Sequence, residues 1–266
     1  MTMENAPQKL LVEAIGAFAL CFIGIGAIIL TQGQDIVAIA LAHGLAIGLL
    51  VTAAGHISGG HFNPAVTLGM VAARRLDIKD AAAYIVAQLV GAVLGAGALT
   101  LVYLDVDRNR VDLGLPAIGS TLVAEPPHGL SVGNALVMEA ILTFFLVLVI
   151  FGTLIDRRSG GKAVAGIAIG LTYSAGILVG EAVSGAAMNP ARWFGPAVIQ
   201  QEFADFWIWI VGPLAGGVAA AVMYNEFLLG RQVVDDYEES VEAVVQTTGG
   251  ERSVQMQRKR RQKRRR

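Results

Sequence analysis

A single cysteine, Cys21, stands among 266 residues, so no disulfide can close within the chain, and its four histidines show no metal-binding spacing. Charge is scarce as well. Asp, Glu, Lys and Arg together make up 15% of the sequence, against about a quarter in soluble domains. That excludes an ordinary soluble domain. In place of charge the chain carries 55% hydrophobic residues and 32 glycines, a composition suited to lipid.

Six apolar stretches, at about 10–30, 36–54, 81–104, 132–155, 163–180 and 206–229, match the roughly 20 residues needed to cross a hydrocarbon core of about 30 Å. An even number places both ends of the chain on one side. The first run begins at Leu10, is as long as a span and lacks a basic leader, so it reads as a span and not as a cleavable signal. Lys9, Arg74, Arg75, Lys79, Arg157, Arg158, Lys162 and Arg231 fall on one side. Basic residues gather on the cytoplasmic side, so both termini are expected there, in a multi-pass protein of the plasma membrane.

Asn63-Pro64-Ala65 recurs as Asn189-Pro190-Ala191, an offset of 126 (189 − 63). The same offset carries Glu13 to Glu139, Gly44 to Gly170 and Ser58-Gly59 to Ser184-Gly185. The chain is therefore two copies of one unit, repeat one at about 10–104 and repeat two at about 132–229. Each unit holds three spans, an odd number, so the second must enter the membrane from the opposite face. Inverted repeats of this kind place a site near the midplane, where interrupted helices meet.

The Asn-Pro-Ala segments read as those interruptions. With asparagine as N-cap and proline at the first helical position, the apolar run from Val66 to Ala73 extends a helix that, counted from Asn63, is about 16 Å long at ~1.5 Å per residue, half a bilayer. Trp193 to Ile199 is its counterpart. The Ser-Gly pairs at 58–59 and 184–185 are expected to open short non-helical approaches, and the carbonyls of Gly59, Gly60, His61, Gly185 and Ala187 are expected to line a wet cavity, where irregular backbone is tolerated. Gly91, Gly95, Gly216 and Gly217 read instead as sites of close helix packing. Glu13 and Glu139 lie inside spans, each 50 residues before its asparagine. A proton relay is one reading; the symmetry favours carboxylates that brace the two loops by accepting backbone N–H bonds.

Two Asn-Pro-Ala boxes, with Gly-His-Ile-Ser-Gly-Gly-His-Phe at 55–62 before the first and Asn-Pro-Ala-Arg at 189–192 in the second, resemble the aquaporin family of major intrinsic proteins over roughly residues 8 to 230. The resemblance implies an all-α membrane fold of six transmembrane helices and two re-entrant half-helices around a single-file pore. It also implies a homotetramer with one pore per subunit, and a channel rather than an enzyme, with no catalytic residues, cofactor or metal. Two helix N-termini at the pore centre, each worth about half a positive charge, together with the amides of Asn63 and Asn189, would orient a water by its oxygen and oppose cations. Water is the expected permeant.

By resemblance Arg192 belongs to the outer constriction, the aromatic/arginine filter. The other filter positions carry over as His43, Ile177 and Ala186. Water-specific members usually have phenylalanine and histidine at the first two of these positions. The set present here resembles the tonoplast intrinsic proteins of plants, some of which also pass ammonia or urea. Ile177 and Ala186 leave a wider, partly apolar opening, so leakage of ammonia or another small neutral solute is expected. Glycerol facilitators resemble one another in a filter tryptophan and phenylalanine and in aspartate after Asn-Pro-Ala-Arg; here Trp193 follows and neither filter aromatic is present. An ion-coupled secondary transporter would need a titratable midplane site beyond the two bracing glutamates.

Residues 1–9 read as a cytoplasmic N-terminus and 10–230 as the channel domain. From 231 to 266 the chain changes character: an acidic stretch, a Thr-Thr-Gly-Gly break, then eight basic residues among the last nine. This tail is expected to be largely disordered, with its basic end at anionic lipid; no nucleic-acid partner is expected. The loop from about Asp105 to Gly129 shows no chemistry of its own.

Overall fold

Inside a bilayer a peptide group has no water to bond, so an apolar run must close its own hydrogen bonds as a helix. The computed structural model, which describes residues 5–119 and 128–229, does this six times. Helices α1 (Ala6–Thr31), α2 (Ile36–Ser58) and α4 (Ile78–Val102) are the spans of repeat one, with the short α3 (Pro64–Ala72) between the last two. A five-residue α5 (Asp105–Asn109) and a single 3₁₀ turn (Asp112–Gly114) follow. Helices α6 (Val132–Ile150), α7 (Ala165–Ser184) and α9 (Ile208–Met223) are the spans of repeat two, with α8 (Pro190–Gln200) as its short helix. Helices α6 and α9 each run on into one wider π turn, to Ile155 and Leu228. The tail expected at 231–266 lies outside the described residues.

Polar side chains start these helices where the chain leaves the apolar run. Asp35 caps α2 through Ala38 N, Asp77 caps α4 through Lys79 N, and Ser131 with Asn134 forms a reciprocal capping box on α6. The radial pattern inverts that of a soluble protein. Leu30, Leu49, Leu94 and Ile167 are well exposed on the outside, while Glu13, Gln88, Glu139 and Arg192 are buried within.

The inverted repeat is visible in the packing. Helix α1 packs on α4 as α6 packs on α9, and α2 crosses α7 at the centre. At that crossing a Cβ on Gly44 would stand 2.3 Å from Gly170 O, and one on Gly170 would stand 2.4 Å from Gly44 O. These two glycines are repeat equivalents, so the pseudo-twofold axis passes between them. Gly91, Gly95 and Gly216 meet the backbone carbonyls of Ala14, Phe18 and Ala140 in the same way. Each short helix packs on the third span of the other repeat: α3 against α9, and α8 against α4.

One loop end is pinned from the side. The Asp156 carboxylate, after the π turn of α6, accepts from Arg158 N, Nε and Nη2 at 3.0, 3.0 and 2.7 Å and from Tyr224 Oη at 3.1 Å. The hydrogen-bonded Arg158 guanidinium holds this carboxyl well below the usual carboxylate range. A carboxyl more acidic in the folded than in the unfolded chain contributes stability that is complete above its unfolded pKa of about 4 and is lost as the pH falls toward the folded value. Asp156→Asn should therefore lower the Tm of the purified protein by a few degrees at neutral pH. The gap to wild type should shrink on acidification below about pH 4; a gap independent of pH would remove the charge from the account.

Candidate functional site

Asn63 and Asn189 are the N-caps of α3 and α8. Both have extended backbone, and their Oδ1 atoms accept from Ala65 N at 2.8 Å and from Ala191 N at 2.9 Å. Proline at the next position removes an N–H that would have had no partner in the first turn. The amide nitrogens reach across the repeats. Asn63 Nδ2 donates to Met188 O at 2.8 Å, and Asn189 Nδ2 donates to Phe62 O at 2.9 Å. Each asparagine thus holds the carbonyl immediately before the other one, and the two N-termini face each other tip to tip. An amide nitrogen carries two N–H donors, and this cross-tie engages one on each side.

Behind the tips stand two buried carboxylates. Glu13 Oε1 accepts from Ser58 Oγ at 2.6 Å and His61 N at 3.0 Å, and its Oε2 accepts from Phe62 N and Gln88 Nε2, both at 2.7 Å. Glu139 Oε1 accepts from Ser184 Oγ at 2.8 Å and Ala187 N at 2.9 Å, and its Oε2 accepts from Met188 N at 2.7 Å. The same three donors recur in both repeats; Gln88 is an addition on the first, where the equivalent position in repeat two is Leu214.

The approaches are shorter than expected. Ser58 and Ser184 are the last residues of α2 and α7, and Gly59 and Gly185, at φ 98° and 73°, close those helices in the left-handed conformation open to glycine. The end carbonyls are met from neighbouring helices: Tyr84 Oη donates to Ser58 O at 2.7 Å and Trp209 Nε1 donates to Ser184 O at 2.9 Å. Of the carbonyls expected to line the cavity, that of Ala187 already accepts from Tyr173 Oη at 2.6 Å. The non-helical segments begin at Gly59 and Gly185.

The four residues expected to form the filter come from three helices and one loop. Arg192, the third residue of α8, is 3% exposed and donates from Nη1 to Gly114 O at 2.7 Å. The loop expected to be inert thus supplies the carbonyl that aims this guanidinium. Asp112, Leu113 and Gly114 are all in the left-handed region, at φ 44°, 49° and 60°, a strained setting for a buried leucine. Pro116 of the same loop lies over Gly185. His43 on α2 is buried, with Nδ1 2.9 Å from Ile39 O, so the proton sits on Nδ1 and Nε2 is an acceptor that no group among the described residues engages. Tyr173 stacks parallel to it at 6.3 Å between ring centres. Ile177 is buried on α7, and Ala186 packs against Gly180 one turn further along that helix. Among the described residues no hydrogen bond joins His43 to Arg192; each is anchored separately.

Sequence reasoning missed the contacts made by Tyr84, Gln88, Tyr173, Trp209 and Gly114. None of the first four has a like residue at the 126 offset, and Gly114 acts through its backbone.

A polytopic membrane channel made of two inverted repeats, with paired half-helices tied tip to tip, is the class that this fold and centre define. The family model for major intrinsic proteins matches residues 1–224, and the chain belongs to that family, the aquaporins. It is 40% identical over 222 residues to Aquaporin NIP1-1 of Oryza sativa subsp. japonica, covering 82% of this chain and 73% of that protein. It is 38% identical over 235 residues to Aquaporin TIP4-4 of Zea mays, covering 84% and 88%. Among solved structures, the aquaglyceroporin from Plasmodium falciparum superposes with a TM-score of 0.75 at 23% identity, covering 84% of this chain and 97% of that one, a likeness of fold. The chain is a channel for water or small solutes, and not an enzyme.

Proposed function

We propose that this channel passes water, excludes protons and ions, and leaks ammonia or another small neutral solute. The observation that carries the reading is the reciprocal tie of Asn63 to Met188 O and Asn189 to Phe62 O. It turns two helix N-termini, each about half a positive charge, toward one point. A water there accepts from the remaining asparagine N–H donors, so its hydrogens point away along the file and it cannot take up a proton from a neighbour. A cation meets the same potential with no oxygen cage to replace its hydration. Arg192 adds a second positive barrier at the outer constriction formed with His43, Ile177 and Ala186.

Two rivals are weaker. A glycerol facilitator needs a broader, aromatic-walled filter, and the two nearby tryptophans are engaged elsewhere: Trp193 stacks on Trp209 at 5.7 Å and Trp209 Nε1 is bound to Ser184 O. An ion-coupled transporter needs a carboxylate free to bind its ion, whereas Glu13 and Glu139 have both oxygens engaged by donors. We place the channel as a homotetramer in the plasma membrane with both termini in the cytoplasm, where Arg74, Arg75 and Lys79 would sit.

Proteoliposomes tested for water, ammonia, urea and glycerol flux decide among these. Wild type should pass water fastest and ammonia measurably, with little glycerol. His43→Phe should keep water and reduce ammonia; selectivity identical to wild type in that variant would sink the filter assignment. Glycerol flux comparable to water would overturn the choice of permeant.

A further inference from the structure

We propose that Gly24 on α1 is a specificity-determining residue, acting as a notch that holds the His43 ring back from the pore axis. The inference rests on the filter reading above. A Cβ on Gly24 would lie 2.3 Å from His43 Cδ2, 2.4 Å from Nε2 and 2.6 Å from Cε1. The edge of the imidazole that carries Nε2 is therefore laid directly over the bare Cα of Gly24, and among the described residues nothing hydrogen-bonds Nε2. The other constraints on the ring are the bond from Nδ1 to Ile39 O and the parallel face of Tyr173. Helix α1 is thus a fifth wall of the filter, beyond the four positions that name it.

Helix packing alone does not demand a glycine at this place. Helices α1 and α2 pack together as α6 and α7 do, and the 126 offset carries Gly24 and His43 to Ile150 and Ile169, both full-sized and both buried. Repeat two fills the corresponding positions with bulk; repeat one keeps a bare Cα beneath a ring. A side chain at position 24 would close the notch, and an imidazole is the far end of a rotatable side chain, so it gives way before the backbone does. With the Tyr173 ring parallel to it at 6.3 Å and α1 at its edge, it turns toward the space that the filter reading gives to Ile177, Ala186 and Arg192. That narrows the constriction and brings the free Nε2 acceptor into the file. Gly24 therefore sets both the width of the filter and which histidine atoms the permeant meets.

The test is a double-mutant cycle in proteoliposomes, with water and urea permeability measured for wild type, Gly24→Ala, His43→Ala and the double variant. Gly24→Ala is expected to cut water permeability about tenfold in the wild-type background, the order of effect of overpacking a tight site, and to be silent where His43 is already alanine. An equal effect in both backgrounds, or none in the wild-type background, overturns the proposal while leaving the filter reading intact. Should His43→Ala alone change neither water nor urea flux, the filter reading fails and takes the proposal with it. If Gly24→Ala yields no monodisperse protein but the double variant does, the fit of notch to ring is upheld; loss of both shows that Gly24 serves packing alone and ends the proposal.

Discussion

Glu139→Ala is expected to abolish recovery of folded channel. The carboxylate is fully buried and accepts from Ser184 Oγ, Ala187 N and Met188 N. Truncation leaves all three donors without a partner in a place closed to bulk water. At ~1–3 kcal/mol for each stranded donor, the loss is about 3–9 kcal/mol, comparable to the whole of a typical folding free energy. The damage also spreads inward, because Met188 supplies the carbonyl that anchors Asn63. Glu139→Gln keeps the shape and one accepting oxygen but turns an NH₂ toward N–H donors, so it should fold with a reduced Tm and reduced water permeability. Size-exclusion profiles and thermal unfolding in detergent read both effects. A Glu139→Ala protein as monodisperse and as heat-stable as wild type would show that the carboxylate does not brace the loop.

The second large effect concerns Arg192. Its guanidinium is buried and held by the Gly114 carbonyl, at the outer constriction proposed above. A monovalent cation about 4 Å away is opposed by ~4 kcal/mol at an effective dielectric of ~20. Arg192→Val removes that barrier and widens the aperture together. Urea and glycerol flux should rise at least about tenfold, equivalent to ~1.4 kcal/mol of barrier, and proton leak should rise less, because the positive potential at the asparagine tips remains. Arg192→Lys separates the two contributions. It keeps the charge but loses the planar fork, so it should exclude cations and still admit more urea than wild type. Solute-driven swelling and a trapped pH dye measure both; urea flux unchanged in Arg192→Val would place Arg192 outside the constriction.

The offset of 126 made the repeat, its inversion and the paired half-helices legible, because Asn63 and Asn189 mark both copies and each copy has three apolar runs. Helix ends were less legible. The second span was expected to stop near residue 54 and instead runs to Ser58, since its last carbonyl is satisfied by Tyr84 Oη from another helix. An end fixed by a tertiary donor leaves no mark in the local pattern. Gly114 was invisible for a different reason: it contributes a backbone carbonyl, which every residue type carries. The notch at Gly24 has the same character, for in a chain with 32 glycines one that faces a histidine ring is recognisable only after α1 and α2 have been crossed.

The packing of each half-helix on the third span of the opposite repeat also sets the order of events during synthesis. Helix α3 has its partner α9 about 140 residues downstream, and at ~5–20 residues per second that partner emerges about 7–28 seconds later. Until repeat two is made, Asn63 has no Met188 carbonyl to hold. The pore centre is therefore among the last parts of the molecule to form: a chain interrupted after repeat one keeps the Asn63 cap on Ala65 N and the Glu13 brace but leaves the Asn63 amide nitrogen without the carbonyl that it holds in the complete channel.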